Sequence, residues 1–396
     1  MGPLQGIRVV ELSHELCAWA GKLMADLGAE VIVVEPPGGS HTRAYGPFAD
    51  DRVGPDTSLF WWHYNTSKQS VVLDLTNAEG RSKLAWLTTT ADVLLAADLS
   101  EPTSFAAKNP RLITVSITAP SPVTDLTILA LGGPVHMCGY DDHALPPVRG
   151  GGNQGFHTAS HWATVATLVA VLERQVSGVG QHIDVDAVAA AQVTTEVGTY
   201  GWLACGLVPE RQTGRHASST QTSPTQLRCA DGRYVNCGVI ARRGSEFAAM
   251  LEWLDELGLR ETFDMVPFLE MGAERDVITM ADFVHDPEAV LIAEAARSAQ
   301  AYVATHVSAY DFFVSAQRHG LTAGVIYAPD EVLDDPHFIA RAWPVVVAHQ
   351  ERDHPVIYPG QPYRFTRTPW AISVRAPTIG EHQSIVEGVF EPRDVS

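Results

Sequence analysis

The sequence predicts an α/β protein with a Rossmann-like large domain and a small α+β domain behind it. Three observations carry that reading. Short β-branched runs alternate with helical segments through the first third of the chain. The segments between those runs are long enough for right-handed crossovers between parallel strands. A new strand-and-helix pattern then begins after a polar linker. The length of 396 residues suits two medium domains better than one core.

In chain order, residues 7–12 read as the first strand. Residues 19–27 read as a helix stopped by Gly28. Residues 30–35 form a second strand, ended by Pro36-Pro37-Gly38-Gly39, and residues 70–75 a third. Asn77 caps a helix running to about Thr90, with strands following at 92–96 and 112–117. Residues 156–173 form a long helix in which only Thr164 and Thr167 interrupt the apolar run from Trp162 to Leu172. A helix apolar on every side belongs in a core or at a subunit interface. Residues 177–180 end it, 182–185 form a short strand, and Asp186 caps an Ala-rich helix to about Val197. The large domain thus spans 1–212, with a linker at 213–224 rich in Ser, Thr and Gln. The small domain spans 225–335 and opens on a strand at 233–239, and the Pro-rich tail follows.

Apolar residues make up 45% and charged residues 18%, a folded composition. With 27 basic against 46 acidic residues the formal charge is -19, which argues against nucleic acid or an anionic membrane as partner. It leaves room for a small anion, because helix N-termini and a few local cations hold phosphates. The five cysteines are scattered and contain no C-x-x-C pair, so reduced thiols in a cytoplasmic protein are expected, without zinc or a disulfide framework. No signal-peptide pattern and no apolar run of about 18 residues is seen.

The motifs are sparse. Residues 150–155 match G-x-G-x-x-G, but the two prolines at Pro146 and Pro147 make a poor preceding strand. A glycine loop that lets a ligand approach a helix N-terminus is the better reading, with a plain turn as the alternative. No Gly-x-Ser-x-Gly elbow occurs. His157 and His161 share one helix face at i, i+4, yet no third ligand stands nearby, so no metal is expected. Asp141-Asp142-His143 reads as a solvated turn.

Several segments together resemble the class III coenzyme A transferase family, the group of formyl-CoA transferase, carnitine CoA-transferase and the α-methylacyl-CoA racemases. They are Ala25 to Glu35, Asn65 to Leu75, Glu173 to Val185, Tyr358-Pro359-Gly360 and Ala376 to His382, spread over nearly the whole chain. The resemblance implies an interlocked-ring dimer whose large domain is completed by C-terminal residues from about 340 to 396. It implies acyl-CoA and a carboxylic acid as substrates. It also suggests Arg43, Lys68, Arg149, Gly151 and Gly152 as coenzyme contacts.

The family's catalytic carboxylate serves as both nucleophile and leaving group. An ungapped count back from Gly178 puts its position at Phe156, and no carboxylate lies between Arg149 and Glu173. Cys17-Ala18 stands where the family has Gly-Pro, and the family's Arg-Pro-Gly is missing around residues 97–100. His157 is then the candidate catalytic residue, as general base or acyl acceptor, its alternative being a structural histidine bonded to the loop. The expected function is a CoA-transferase-like protein acting on acyl-CoA thioesters. The alternatives are a non-catalytic subunit paired in a heterodimer with an Asp-bearing paralogue, an acyl-CoA racemase or isomerase, and an acyl-CoA-binding protein.

Overall fold

The computed structural model describes residues 2–99, 102–237, 241–349 and 352–387. Its first half alternates strand and helix: β1 (Arg8–Leu12), α1 (Glu15–Asp26), β2 (Glu30–Glu35), α2 (Leu59–Tyr64), β3 (Gln69–Val72), α3 (Ala78–Thr89), β4 (Val93–Ala96), α4 (Pro102–Ala106) and β5 (Ile113–Thr118). After α5 (Asp125–Gly132) come α6 (Gln154–Ser177), β6 (His182–Asp186), α7 (Ala187–Val193) and α8 (Glu196–Cys205). The six strands pair in parallel in the order β3-β2-β1-β4-β5-β6.

Alternation along the strands builds a core on each face of this sheet. Val9, Val31, Val93 and Leu95 join Leu16 and Met24 of α1 and Ala159 and Ala163 of α6. Val10, Ile32 and Leu94 turn the other way and meet Leu84 and Leu87 of α3. The chain from Asp335 returns to this unit. There the Gln383 side chain accepts from Val72 N at 2.7 Å and donates to Val72 O at 3.0 Å, so one amide satisfies the free edge of β3 as a strand would.

Three local expectations shift. α1 starts at Glu15 rather than at residue 19, because His14 Nδ1 accepts from Leu16 N at 3.2 Å and caps the helix early. The expected single Ala-rich helix breaks into α7 and α8. At the break the hydroxyls of Thr194 and Thr195 bond back to Ala191 O and Gln192 O, competing with the helix backbone. The strand expected at 233–239 is only Tyr234–Asn236, and Val239 lies outside the described residues.

The second unit comprises Met137–Pro147 and Gly206–Asp334, so it begins before the expected linker and takes in a loop assigned to the large domain. Arginines tie that loop in. Arg215 pairs with Asp141 at 2.8 Å, and Arg211 Nη2 donates to His143 O and Leu145 O, so the exposed turn at residues 141–143 is tethered to this unit. The unit holds a three-stranded antiparallel sheet of β7 (Gln226–Arg228), β8 (Tyr234–Asn236) and β9 (Gly324–Val325). Around it pack α9 (Gly244–Glu256), α10 (Val266–Ala273), α11 (Asp282–His285), α12 (Pro287–Ala304) and α13 (Ala309–Arg318). Trp253 fills its core and donates from Nε1 to Ser315 Oγ at 2.9 Å.

Candidate functional site

The strand order turns at β1 and β4: the chain runs outward from β1 through β2 to β3, and outward the other way from β4 through β5 to β6. In open parallel sheets the crevice at the carboxyl ends of such a pair is where ligands sit. A pocket of about 560 Å³ lies there, bounded by Leu12 at the end of β1, Leu75 beyond β3, and Asp98 and Leu99 beyond β4. Arg81, Phe105 and Lys108 complete its wall. It sets apolar surface beside two cations, which suits a nucleotide carrying phosphates.

The start of α6 is the second feature. Its cap is not the side chain of Asn153 but a carboxylate from another element. Asp125, at the start of α5, accepts from Gly155 N through Oδ1 at 2.6 Å, while Oδ2 takes Arg149 Nη1 at 2.8 Å. This closeness needs Gly155, because an added Cβ would stand 3.0 Å from Ile128 Cγ2. Asn153 is thereby released and donates from Nδ2 to the Tyr64 hydroxyl at 3.1 Å. The same hydroxyl shares a hydrogen bond with His157 Nε2 at 2.8 Å, its direction set by the histidine tautomer.

α2 delivers Tyr64 to this place. Ser58 caps it by accepting from Trp61 N at 3.1 Å, and the helix puts His63 and Tyr64 beside Trp19 of α1. The Trp19 indole stacks on the His157 ring at 4.5 Å between centroids and donates from Nε1 to His161 Nε2 at 3.1 Å. The imidazoles are held uncharged. Burial lowers His157 to about 4, with His161 adding to the shift, and lowers His63 to about 3, with Lys22 and His157 adding. His161 is lowered too, by burial.

The expected site residues fall into four groups. Phe156, where the ungapped count places the nucleophile, is 5% exposed and packs in the large unit's core. His157 is in the cluster just described and bonds Tyr64 rather than the glycine loop. Gly151 and Gly152 are exposed in front of α6 with open space around them, and Arg149 stands beside them on Asp125. Arg43 and Lys68, expected as coenzyme contacts, are instead buried and spoken for. Arg43 lies 3.7 Å over the Trp61 ring and grips Glu35 through Nε at 2.7 Å and Nη2 at 2.8 Å, with Asp56 and the Pro377 carbonyl on its other donors. Lys68 Nζ meets Glu11 at 2.8 Å, the Ala18 carbonyl at 3.0 Å and Asn65 Oδ1 at 2.9 Å.

Residues that sequence reasoning missed are Trp19, His63, Tyr64 and Asp125. The run Trp61-Trp62-His63-Tyr64 is a usable signal, being dense in aromatic and imidazole groups. Asp125 has none, since it lies 30 residues before the backbone it caps.

Against known proteins, the model of CoA-transferase family III matches residues 4–383. The chain is 27% identical over 95% of its length to the succinyl-CoA:(R)-benzylsuccinate CoA-transferase subunit BbsE of Thauera aromatica, covering 91% of that protein. It is 28% identical over 98% of its length to the succinate–glutarate CoA-transferase of Agrobacterium fabrum, covering 96% of it. A CAIB/BAIF family protein from Brucella suis shares the fold, with a TM-score of 0.75 at 24% identity over 98% of this chain and 99% of that one. The chain belongs to CoA-transferase family III.

Proposed function

We propose that this chain is the acyl-CoA-binding subunit of a cytoplasmic CoA-transferase whose nucleophilic carboxylate comes from a related, Asp-bearing chain. The observation that carries the reading is Phe156: where the family needs a carboxylate facing substrate, this chain has a ring buried in its own core. Asp125 brings a carboxylate to the start of α6, but both its oxygens are engaged, one by Gly155 N and one by Arg149. His157 is a weak base, because burial lowers its pKa to about 4, and its Nε2 is engaged with the Tyr64 hydroxyl.

Coenzyme binding is assigned to the crevice beyond β1 and β4, with Arg81 and Lys108 toward phosphates. The exposed Gly151 and Gly152 leave room for the thioester end to approach the start of α6, and Arg149 stands beside them. Arg43 and Lys68 enter only as buried supports of the sheet. The reading calls for no metal.

Two further facts favour a partner chain. One face of α6 carries Trp162, Val169, Leu172 and Val176, all exposed in the single chain and none of them lining the cavity beside α1. An apolar stripe of that length marks an interface. One relative that matches over 95% of the chain is itself named as a subunit of a CoA-transferase. The interlocked dimer belongs to this proposal, in its heteromeric form. Tagged chain purified from its native cells should bring down an Asp-bearing relative in equal amount. A pure homo-oligomer that transfers CoA between acids by itself would overturn the assignment.

A further inference from the structure

A second cavity, distinct from the coenzyme crevice, lies between one face of α1, the outer side of α6 and the segment 359–370. Its volume is about 340 Å³, within the range of sites that enclose small organic groups. Trp19, Leu23, Val165, Leu168, Phe365 and Trp370 form its apolar wall. We propose that this cavity holds the acyl group of the CoA ester, and that it takes an apolar aromatic or branched acyl chain while rejecting one that ends in a second carboxylate. The proposal rests on the acyl-CoA reading above and names its substrate class.

Position is the first argument. Trp19 lines the cavity and also stacks on His157, and His161 lines it one helical turn beyond His157. The cavity therefore shares a wall with the start of α6, where the family's chemistry is done.

Charge is the second argument. The lining contains one cation, Lys22, whose ammonium is already held by Asp26 Oδ2 at 2.8 Å and by Thr66 Oγ1. Asp26 is in turn held by Ser67 Oγ at 2.7 Å, so the pair is closed on itself. The two histidines of the lining, His63 and His161, are kept neutral by burial. A carboxylate on the acyl chain would thus lose its water, meet no free cation among the described lining residues, and face Asp26. An aromatic or branched chain would exchange water for indole and leucine surface at no such cost.

The test is calorimetric titration of the full chain, together with its partner subunit where one co-purifies, with CoA, succinyl-CoA and 3-phenylpropionyl-CoA, and separately with free 3-phenylpropionate. The proposal expects the phenylpropionyl ester to bind about tenfold to a hundredfold tighter than the succinyl ester, from the apolar area it buries. Filling the cavity by Leu168→Trp, or by the smaller Leu23→Phe should the first variant not fold, should collapse that ratio toward one. Equal affinity for the two esters in the wild type, with no heat from free 3-phenylpropionate, would overturn it, including the case where a partner's side chain fills the cavity. If no CoA compound binds but free 3-phenylpropionate binds wild type and not Leu168→Trp, the cavity assignment stands and the acyl-CoA reading fails.

Discussion

At the start of α6, Phe156 turns its ring into the core while Asp125, from α5, occupies the helix end. Restoring a carboxylate at residue 156 would therefore remove a core ring and bury a charge in one step. Phe156→Asp should lower stability by about 3–5 kcal/mol, the usual cost of deleting a buried aromatic, read from the denaturant midpoint. Burial would also raise the new carboxyl's pKa, so no CoA ester should form on it. Covalent CoA on Asp at 156 would show that only the nucleophile had been lost. His63 offers a second test. Its folded pKa of about 3 lies below the ordinary 6.5, so the unfolded chain binds the extra proton between those values. Stability from this residue is complete above about pH 6.5 and is lost as pH falls toward 3, by up to about 1.4 kcal/mol per pH unit. Melting curves from about pH 7 to about pH 5 should fall less steeply for His63→Gln than for wild type; parallel slopes would contradict the burial argument. At this scale the sequence placed Phe156 and His157 at the start of α6, where the structure has them, because both sit at a countable distance from Gly178. It did not show that Arg43 and Lys68 are internal, since a buried cation and a surface cation look alike until their partners, Glu35 and Glu11, are brought in by the sheet.

Among the elements, β2 was legible to the residue, because a β-branched run bounded by Gly28 and by Pro36-Pro37 leaves no other choice. The start of α1 and the break between α7 and α8 were not. They depend on a histidine cap and on threonine hydroxyls turning back, both of which compete weakly with propensity. α6 was read as apolar all round, and the structure divides it. Ala159, Ala163 and Ala170 are buried against the sheet, while Val169 is 59% and Leu172 63% exposed. That exposed face predicts an assembly. Val169→Asp should leave the isolated chain's stability within about 0.5 kcal/mol, as for other surface changes, and should reduce the assembled mass in light scattering. An unchanged mass would remove α6 from the interface.

For the molecule as a whole, the family was readable from segments dispersed over the chain, and the family match over residues 4–383 bears it out. Arg211 and Arg215 hold residues of the 137–147 segment across a long sequence gap, which composition does not reveal. The central claim is that this fold retains the means to hold an acyl-CoA while the start of α6 no longer carries the group that reacts with it. The most direct measurement is intact-mass and peptide analysis of the purified chain after incubation with acyl-CoA esters, followed by borohydride or hydroxylamine trapping. The account predicts non-covalent acyl-CoA binding, no modified carboxylate anywhere in the chain, and trapped CoA ester only on an added Asp-bearing subunit. A trapped ester on a carboxylate of this chain, Asp125 foremost, would contradict it.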